Sequence, residues 1–194
     1  MAITFYHSPG SSSLAVHIAL NEVGATFEPR VMSFHKKEHH EPWFRAITPE
    51  GKVPTLVVDG QVLNEVAGCL WWVAKTYPEA GLLPVGGAFA EAQGVAWMSF
   101  IAAEIHHSRT GMEGWKACFA IADAKLEGKE WLIANHYSIA DIHLFRLYWR
   151  FCGRVHPEPG TFPNMDRLYQ QVMARPAVRK TFADEAAVGY ELPA

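Results

Sequence analysis

The sequence has no excess of positive charge: 17 Lys and Arg residues stand against 20 Asp and Glu residues, and the net charge is −3. A protein dedicated to nucleic acid normally carries a basic excess, so the composition argues against nucleic acid as a partner. Apolar runs are also short, and none reaches the roughly 18 residues that a membrane-spanning helix requires. No Lys or Arg precedes Arg30, which is unlike the start of a secretory signal. We therefore expect a soluble protein with no membrane partner.

Cysteine is scarce, and its spacing fits neither a CxxC redox motif nor a zinc ribbon. The chain has three cysteines: Cys69, Cys118 and Cys152. An odd number of thiols without a pairing scheme indicates a reducing compartment, so we expect a cytoplasmic protein. The adjacent pairs His39–His40 and His106–His107 have no Cys or carboxylate at metal-ligand spacing. No metal is expected on these grounds.

The first 78 residues alternate between strand and helix patterns. The predicted segments, in order, are an extended run at Ala2–Tyr6, a helix from Ser12 or Ser13 to Gly24, an extended run at Thr26–Met32, a hairpin of Thr55–Val58 and Gln61–Leu63, and a helix capped by Asn64 that ends at Pro78. The hairpin is predicted from its Asp59-Gly60 turn. The order βαβ, an irregular stretch, then ββα predicts a mixed sheet with one parallel pair and one antiparallel pair.

The rest of the chain has helical patterns after a Gly-rich and Pro-containing linker. The predicted helices cover Ala90–His107, Ala117–Glu127, Ser138–Phe151, Asn164–Ala174 and Pro176–Glu185. Ser138 and Asp141 have the spacing of a capping box, and the helix that they open is apolar on almost every side. We therefore predict an α/β domain at residues 1–78, a linker at 79–88 and an all-α helical bundle at 89–194.

Six segments, in the right order, resemble motifs of the cytosolic glutathione transferases. They are Phe5–Ile18, Thr48–Pro54, Leu63–Ala67, Trp97–His106, Tyr137–Asp141 and Ala174–Val178. The first segment looks like the start of the bacterial beta class, which has a cysteine at the position of Ser12. The resemblance implies that the α/β domain is thioredoxin-like. It also implies a homodimeric, cytoplasmic transferase of the detoxification type, with glutathione as co-substrate and an apolar electrophile as the second substrate.

The thiol of glutathione must become a thiolate to act as a nucleophile. Ser12, at a helix start, stands where the resemblance implies the group that contacts the sulfur, and Ser11 and Ser13 are its rivals. All three serines would also suit an ordinary turn and helix cap. Tyr6 is the other candidate donor, although a strand aromatic that packs in the core is the simpler interpretation. Serine forms no mixed disulfide, so the sequence favours conjugation, thioether cleavage or isomerisation over disulfide reduction.

The resemblance implies a role for each residue that would hold the peptide. Val53, before a cis Pro54, would pair its backbone with the cysteinyl unit, and Glu65 would receive the γ-glutamyl ammonium. The Val66 amide would bind the γ-glutamyl carboxylate at a helix start, where the family usually has Ser or Gly. Lys36 would contact the glycyl carboxylate, with Lys52 in its place or beside it.

The second substrate is the least defined part of the prediction. Ser99, Ala103 and His106 fall on one face of an α-helix, so His106 is a candidate acid, base or hydrogen-bond donor towards the electrophile. The resemblance implies that Glu104 reaches the glutathione of the partner subunit. Maleylacetoacetate isomerase and β-etherase activities, or a protein that binds without catalysis, remain open because a fold does not determine its function.

Overall fold

The computed structural model describes residues 1–109 and 111–192. Its contacts divide these residues into two compact units. The N-terminal unit comprises Met1–Val73 together with the chain from Pro176 onward, and the helical unit comprises Ala74–Arg175.

The N-terminal unit is built on a four-stranded mixed sheet. Its strands are β1 (Ile3–His7), β2 (Glu28–Val31), β3 (Thr55–Val58) and β4 (Gln61–Asn64), in the order β2-β1-β3-β4. β1 pairs with β2 in parallel and with β3 antiparallel, and β3 and β4 form a hairpin. Asp59 and Gly60 both adopt positive φ angles, of 46° and 85°, as a tight hairpin turn requires. The predicted parallel pair and hairpin are confirmed.

The helices of the N-terminal unit are α1 (Ser13–Glu22), α2 (Pro42–Ile47), α3 (Val66–Thr76) and α9 (Pro176–Val188), although the last three residues of α3 are grouped with the helical unit. α2 and the short 3₁₀ helix Glu38–His40 lie in the stretch that the sequence left irregular. The prediction that Asn64 caps α3 is wrong, because Asn64 ends β4 and its amide donates to Thr48 and Glu50. The Glu65 carbonyl instead accepts the first hydrogen bond of the helix, from the Cys69 amide.

The helical unit contains a 3₁₀ turn and five α-helices among its described residues. They are Pro78–Ala80, α4 (Ala88–Phe100), α5 (His106–Ser108), α6 (Met112–Lys125), α7 (Ile139–Val155) and α8 (Pro163–Met173), with a π-helical segment at Ile101–Ile105 between α4 and α5. α7 is buried on nearly every side, as its apolar sequence predicts. Its capping box is present: Ser138 accepts from the Ala140 amide, and Asp141 accepts from the Ser138 amide.

The compact units differ in two respects from the sequence-based division at residues 78 and 89: the first stretch of the N-terminal unit ends at Val73, and α9 belongs to that unit. The sequence assigns α9 to the helical domain because α9 follows four other helices along the chain. In the structure α9 packs against α1, which groups it with the N-terminal unit. The helix pattern of α9 was therefore predicted, but the surface against which α9 packs was not.

The structure also describes the lengths of the helices and the state of the cysteines. Within residues 1–109 and 111–192, no helix combines the length and the apolar character that crossing a bilayer demands. The three cysteines are free thiols, with Cys69 and Cys118 buried and Cys152 partly buried.

Candidate functional site

Ser11, Ser12 and Ser13, in the turn between β1 and α1, differ in their burial and in their hydrogen bonds. Ser11 and Ser13 are buried, and their hydroxyl oxygens lie 2.7 Å apart. The Ser13 hydroxyl also donates to the Ser8 carbonyl at 3.1 Å and accepts from the Ser8 amide at 3.1 Å. These bonds close the turn upon itself. Ser11 and Ser13 therefore have a structural role in the turn, which the sequence left open as one of two interpretations.

Ser12 is the least buried of these three serines. It is partly buried and is the N-cap residue of α1, yet its side chain makes no capping hydrogen bond. Its hydroxyl instead donates to the Val53 carbonyl at 3.0 Å. The hydroxyl therefore lies at the positive end of a helix dipole and is held by one hydrogen bond.

The segment directly before β3 lies beside Ser12. The peptide bond between Val53 and Pro54 is cis, as the resemblance implies. Val53 is buried in an apolar cluster with Met32 and Phe44, and Tyr6 packs against that cluster. The Tyr6 ring lies 5.3 Å from the Phe44 ring between centroids. Tyr6 is thus a partly buried aromatic that packs on the edge of this cluster, and its role as a donor to the sulfur stays a prediction.

Glu65 occupies a strained position between β4 and α3. Its φ is +65°, a left-handed conformation that non-glycine residues seldom adopt, and it is exposed. The preceding residue is fixed by a small polar network, in which the Asn64 amide donates to the Thr48 hydroxyl at 2.8 Å. Val66 is the first residue of α3, so its amide belongs to the N-terminal turn of that helix. Strain of this kind often marks a functional position.

The two candidate lysines lie on exposed loops. Lys36 follows β2, and its amide donates to the Ser33 hydroxyl at 3.1 Å. The same loop is held by Glu191, whose carboxylate accepts from the Ser33 hydroxyl and from the His35 amide, at 2.9 Å each. The hydrogen bond from the His35 backbone lowers the pKa of Glu191. Lys52 is exposed directly before Val53.

A buried polar cluster beneath the serine turn was missed by the sequence analysis. Glu185 on α9 is fully buried, and its carboxylate accepts from the Gly10 amide at 2.6 Å. Its other oxygen lies 2.9 Å from His17 Nδ1 and 3.9 Å from His7 Nδ1. Burial, followed by the proximity of His17, lowers the pKa of His7 from 6.5 to about 4. α9 therefore supports the turn that carries Ser12.

The helical unit holds the two remaining candidates. Glu104 is exposed within the π-helical segment, and His106 is partly buried directly after it. The prediction of a common face with Ser99 assumed α-helical spacing throughout. A π-helical segment has more residues per turn, so His106 is rotated away from the stripe of Ser99. Burial, followed by the proximity of Arg146 and then of His106, lowers the pKa of His143 from 6.5 to about 3.

The assembled features of the N-terminal unit suit a peptide ligand that carries a thiol and carboxylates. The hydroxyl of Ser12 lies at one helix N-terminus, and the Val66 amide lies at another. Helix N-termini favour anions because their first amides lack partners and the dipole is positive there. The backbone of Val53 and the carboxylate of Glu65 add polar groups of the kinds that a peptide backbone and an ammonium group require.

Sequence models of one family match both parts of the chain. The model described as glutathione S-transferase, N-terminal domain, matches residues 11–76, and the one described as glutathione S-transferase, C-terminal domain, matches residues 97–176. The glutathione S-transferase GstA of Escherichia coli O157:H7 is 26% identical over 198 residues, which cover 93% of this chain and 97% of that protein.

Solved structures of similar proteins have the same fold. A sphingomonad glutathione S-transferase complexed with glutathione is 29% identical, covers 94% of this chain and 98% of its own, and superimposes with a TM-score of 0.85. The bacterial beta class glutathione S-transferase of Sphingomonas chungbukensis is 27% identical, covers 94% and 98% of the two chains, and gives a TM-score of 0.82. The likeness extends over nearly the whole of each protein.

Proposed function

The chain belongs to the glutathione S-transferase family, and we propose that it binds glutathione, stabilises the thiolate and directs it at an apolar electrophile. The observation that carries the proposal is the Ser12 hydroxyl, which lies at the N-terminus of α1 without capping it and 3.0 Å from the Val53 carbonyl. A hydroxyl in this position can turn from that carbonyl to a ligand sulfur without breaking the turn. Ser11 and Ser13, whose bonds close the turn, lack that freedom.

Ser12 acts by favouring the charged form of the bound thiol. A free thiol has a pKa of about 8.5, so only a few per cent is ionised at neutral pH. A hydrogen bond to a charged group contributes roughly 1.5–3 kcal/mol, which lowers the pKa by about 1–2 units. The α1 dipole acts in the same direction. Together they supply a reactive thiolate near neutral pH without a covalent enzyme intermediate.

The peptide is held by the backbone of Val53 and by residues of other segments of the N-terminal unit. The Val53 backbone pairs with the cysteinyl unit as an added strand would, next to Pro54. Glu65 receives the γ-glutamyl ammonium, and the Val66 amide binds the neighbouring carboxylate. Lys36 or Lys52 meets the glycyl carboxylate, and both are exposed and long enough to reorient. Val66 has no hydroxyl, so one hydrogen bond available to relatives with Ser at this position is absent here.

The remaining parts of the proposal concern the second substrate and the assembly. His106 acts on the electrophile as acid, base or donor, and Glu104 reaches the glutathione of a partner subunit in a homodimer. We place the enzyme in the cytoplasm, because three free thiols suit a reducing compartment. Isomerase and β-etherase activities use the same thiolate on other electrophiles and are outcomes of substrate screening.

Calorimetric titration with glutathione from pH 6 to 9 tests the proposal. We expect binding with release of a proton near neutral pH, since the bound thiol ionises. S-methylglutathione, which has no thiol proton, is the matched control and should bind without proton release. Glu65→Gln should weaken both ligands equally. Binding without proton release would leave a carrier protein and refute thiolate formation, and no binding at millimolar glutathione would refute the proposal altogether.

A further inference from the structure

Two imidazoles and one carboxylate from three separate elements meet in the interior of the N-terminal unit. His7 ends β1, His17 lies on α1 and Glu185 lies on α9. Their exposed fractions are 2%, 4% and 0%. One ring nitrogen of each histidine and one carboxylate oxygen lie within 4.8 Å of one another. This arrangement places three metal-ligand atoms around one buried point.

Hydrogen bonding leaves this cluster incomplete. Within residues 1–109 and 111–192, neither ring nitrogen of His7 has a hydrogen-bond partner, although both are buried. His7 Nδ1 is 3.9 Å from Glu185 Oε1, which is too long for a hydrogen bond. Buried polar atoms without partners are costly and call for an explanation, and a site for an ion is one such explanation. The unpartnered nitrogen and the carboxylate oxygen face each other across a gap of the size that an ion bridges.

We propose that His7, His17 and Glu185 bind a divalent transition-metal ion of the zinc class. Two imidazoles and a carboxylate are a ligand set that Zn²⁺ accepts, with a water in the fourth position. Bonds of about 2.0–2.2 Å in a tetrahedron separate neighbouring ligand atoms by about 3.4 Å. Glu185 Oε1 lies 3.9 Å from His7 Nδ1 and 2.9 Å from His17 Nδ1, on either side of that value. The shorter contact is a hydrogen bond, which the ion would replace as its proton is released to solvent. Small side-chain rotations would equalise them.

The second coordination shell and the topology favour a structural role for the ion. The Gly10 amide donates to the second oxygen of Glu185 and so fixes the carboxylate, as outer-shell partners of metal ligands do. The ion would join α9 to β1 and α1, which are distant in sequence. It would also brace the serine turn through Gly10. The ion can bind in this role whether or not glutathione is bound.

Metal binding to the tag-free protein tests the proposal directly. After removal of metals with a chelator, Zn²⁺ is titrated by calorimetry, and the melting temperature is measured with and without Zn²⁺. Because an ion that binds only the folded state stabilises it, we expect one Zn²⁺ per chain and a higher melting temperature. Co²⁺ in the same site should give the intense visible bands of four-coordinate cobalt.

Two variants remove ligands with little change of shape. His7→Phe keeps an aromatic ring that can stack on Phe5 but removes the ligating nitrogen, so the melting temperature of the metal-free protein should not fall. Glu185→Gln keeps an acceptor for the Gly10 amide. Each should weaken Zn²⁺ binding by more than about 100-fold, since even outer-shell changes cost 10–100-fold. The control is His156→Asn, an exposed histidine with φ of 49°, which asparagine tolerates.

Three results would overturn the proposal. The first is wild-type protein without saturable Zn²⁺ binding. The second is binding that His7→Phe and Glu185→Gln leave unchanged, which would assign the ion to surface histidines. The third is an equal loss in His156→Asn. None of these results bears on glutathione binding, so the failure of this inference and that of the proposed function are distinguishable.

Discussion

Replacement of Ser12 by alanine isolates the hydroxyl that we assign to the thiolate. The side chain is partly buried and makes one hydrogen bond, to the Val53 carbonyl. Its removal should therefore cost at most about 1 kcal/mol of folding stability. The effect on chemistry should be larger, because the lost bond to a charged sulfur corresponds to roughly 1.5–3 kcal/mol. The kinetic pKa of the bound thiol should rise by about 1–2 units.

The assay is the pH dependence of kcat/KM for an activated aryl halide at saturating glutathione, which reports the pKa of the bound thiol. Below both pKa values, Ser12→Ala should react about 10–100-fold more slowly than the wild type, since each pKa unit is tenfold in thiolate. Above about pH 9 the two should converge, because the unassisted thiol is ionised there. The ultraviolet absorbance of the bound thiolate reports the same pKa without an electrophile.

Two variants control for loss of structure. Ser12→Thr keeps a hydroxyl at the same position and should restore the low pKa. Ser13→Ala removes two hydrogen bonds to the Ser8 backbone and should lower stability without the pH-dependent pattern. An unchanged pH profile in Ser12→Ala would refute the assignment. A uniform loss of rate at every pH would also refute thiolate stabilisation, since it would indicate a positioning role.

Three further perturbations probe the surrounding structure. Burial raises the pKa of Asp141 from 3.8 to about 6, so ionisation of this carboxyl destabilises the folded state. As pH rises from about 4 to 7, the wild type should therefore lose up to about 3 kcal/mol of folding stability relative to Asp141→Asn. Urea unfolding of both proteins measures this, and a difference that is constant with pH would contradict it. Glu65→Gly should relieve the left-handed strain and keep or raise stability, while glutathione affinity falls at least about tenfold, and calorimetry together with thermal melting separates the two effects. An affinity equal to that of the wild type would remove Glu65 from the site. Gly10→Ala should lower the free energy of unfolding in urea by about 1–3 kcal/mol. The φ of Gly10 is +72°, and a Cβ there would lie 2.9 Å from Tyr190 and 3.0 Å from Leu192. An unchanged stability would contradict this packing.

Local patterns were sufficient to predict most of the fold. The Asp59-Gly60 turn predicts the hairpin because few other residues accept two positive φ angles in succession. Ser138 and Asp141 predict the start of α7 because the capping box is complete within four residues. α2 was missed because it has only six residues, too few for a clear helical period. Asn64 was misassigned because an asparagine before a helix suits a cap, whereas here its amide is used by Thr48 and Glu50.

The candidate site divides in the same way between local and distant features. The family resemblance directs attention to Ser12, Val53 and Glu65, and the structure joins Ser12 to Val53 by a hydrogen bond. Glu185 was not found because its partners His17 and Gly10 lie 168 and 175 residues away. One local signal existed. Val178, Thr181 and Glu185 form the buried stripe of α9, and a carboxylate on such a stripe requires buried partners.

The return of α9 to the N-terminal unit has a consequence for biosynthesis. Residues 74–175 separate the two parts of that unit, so the ribosome must produce them before α9 can emerge. At about 5–20 residues per second, this intervening stretch takes roughly 5–20 s. During that delay the nascent β1 and α1 have no Glu185 beside His17 or Gly10. The N-terminal unit, which begins to leave the ribosome first, is thus completed last. Chaperones would have most access to its unfinished parts in this interval.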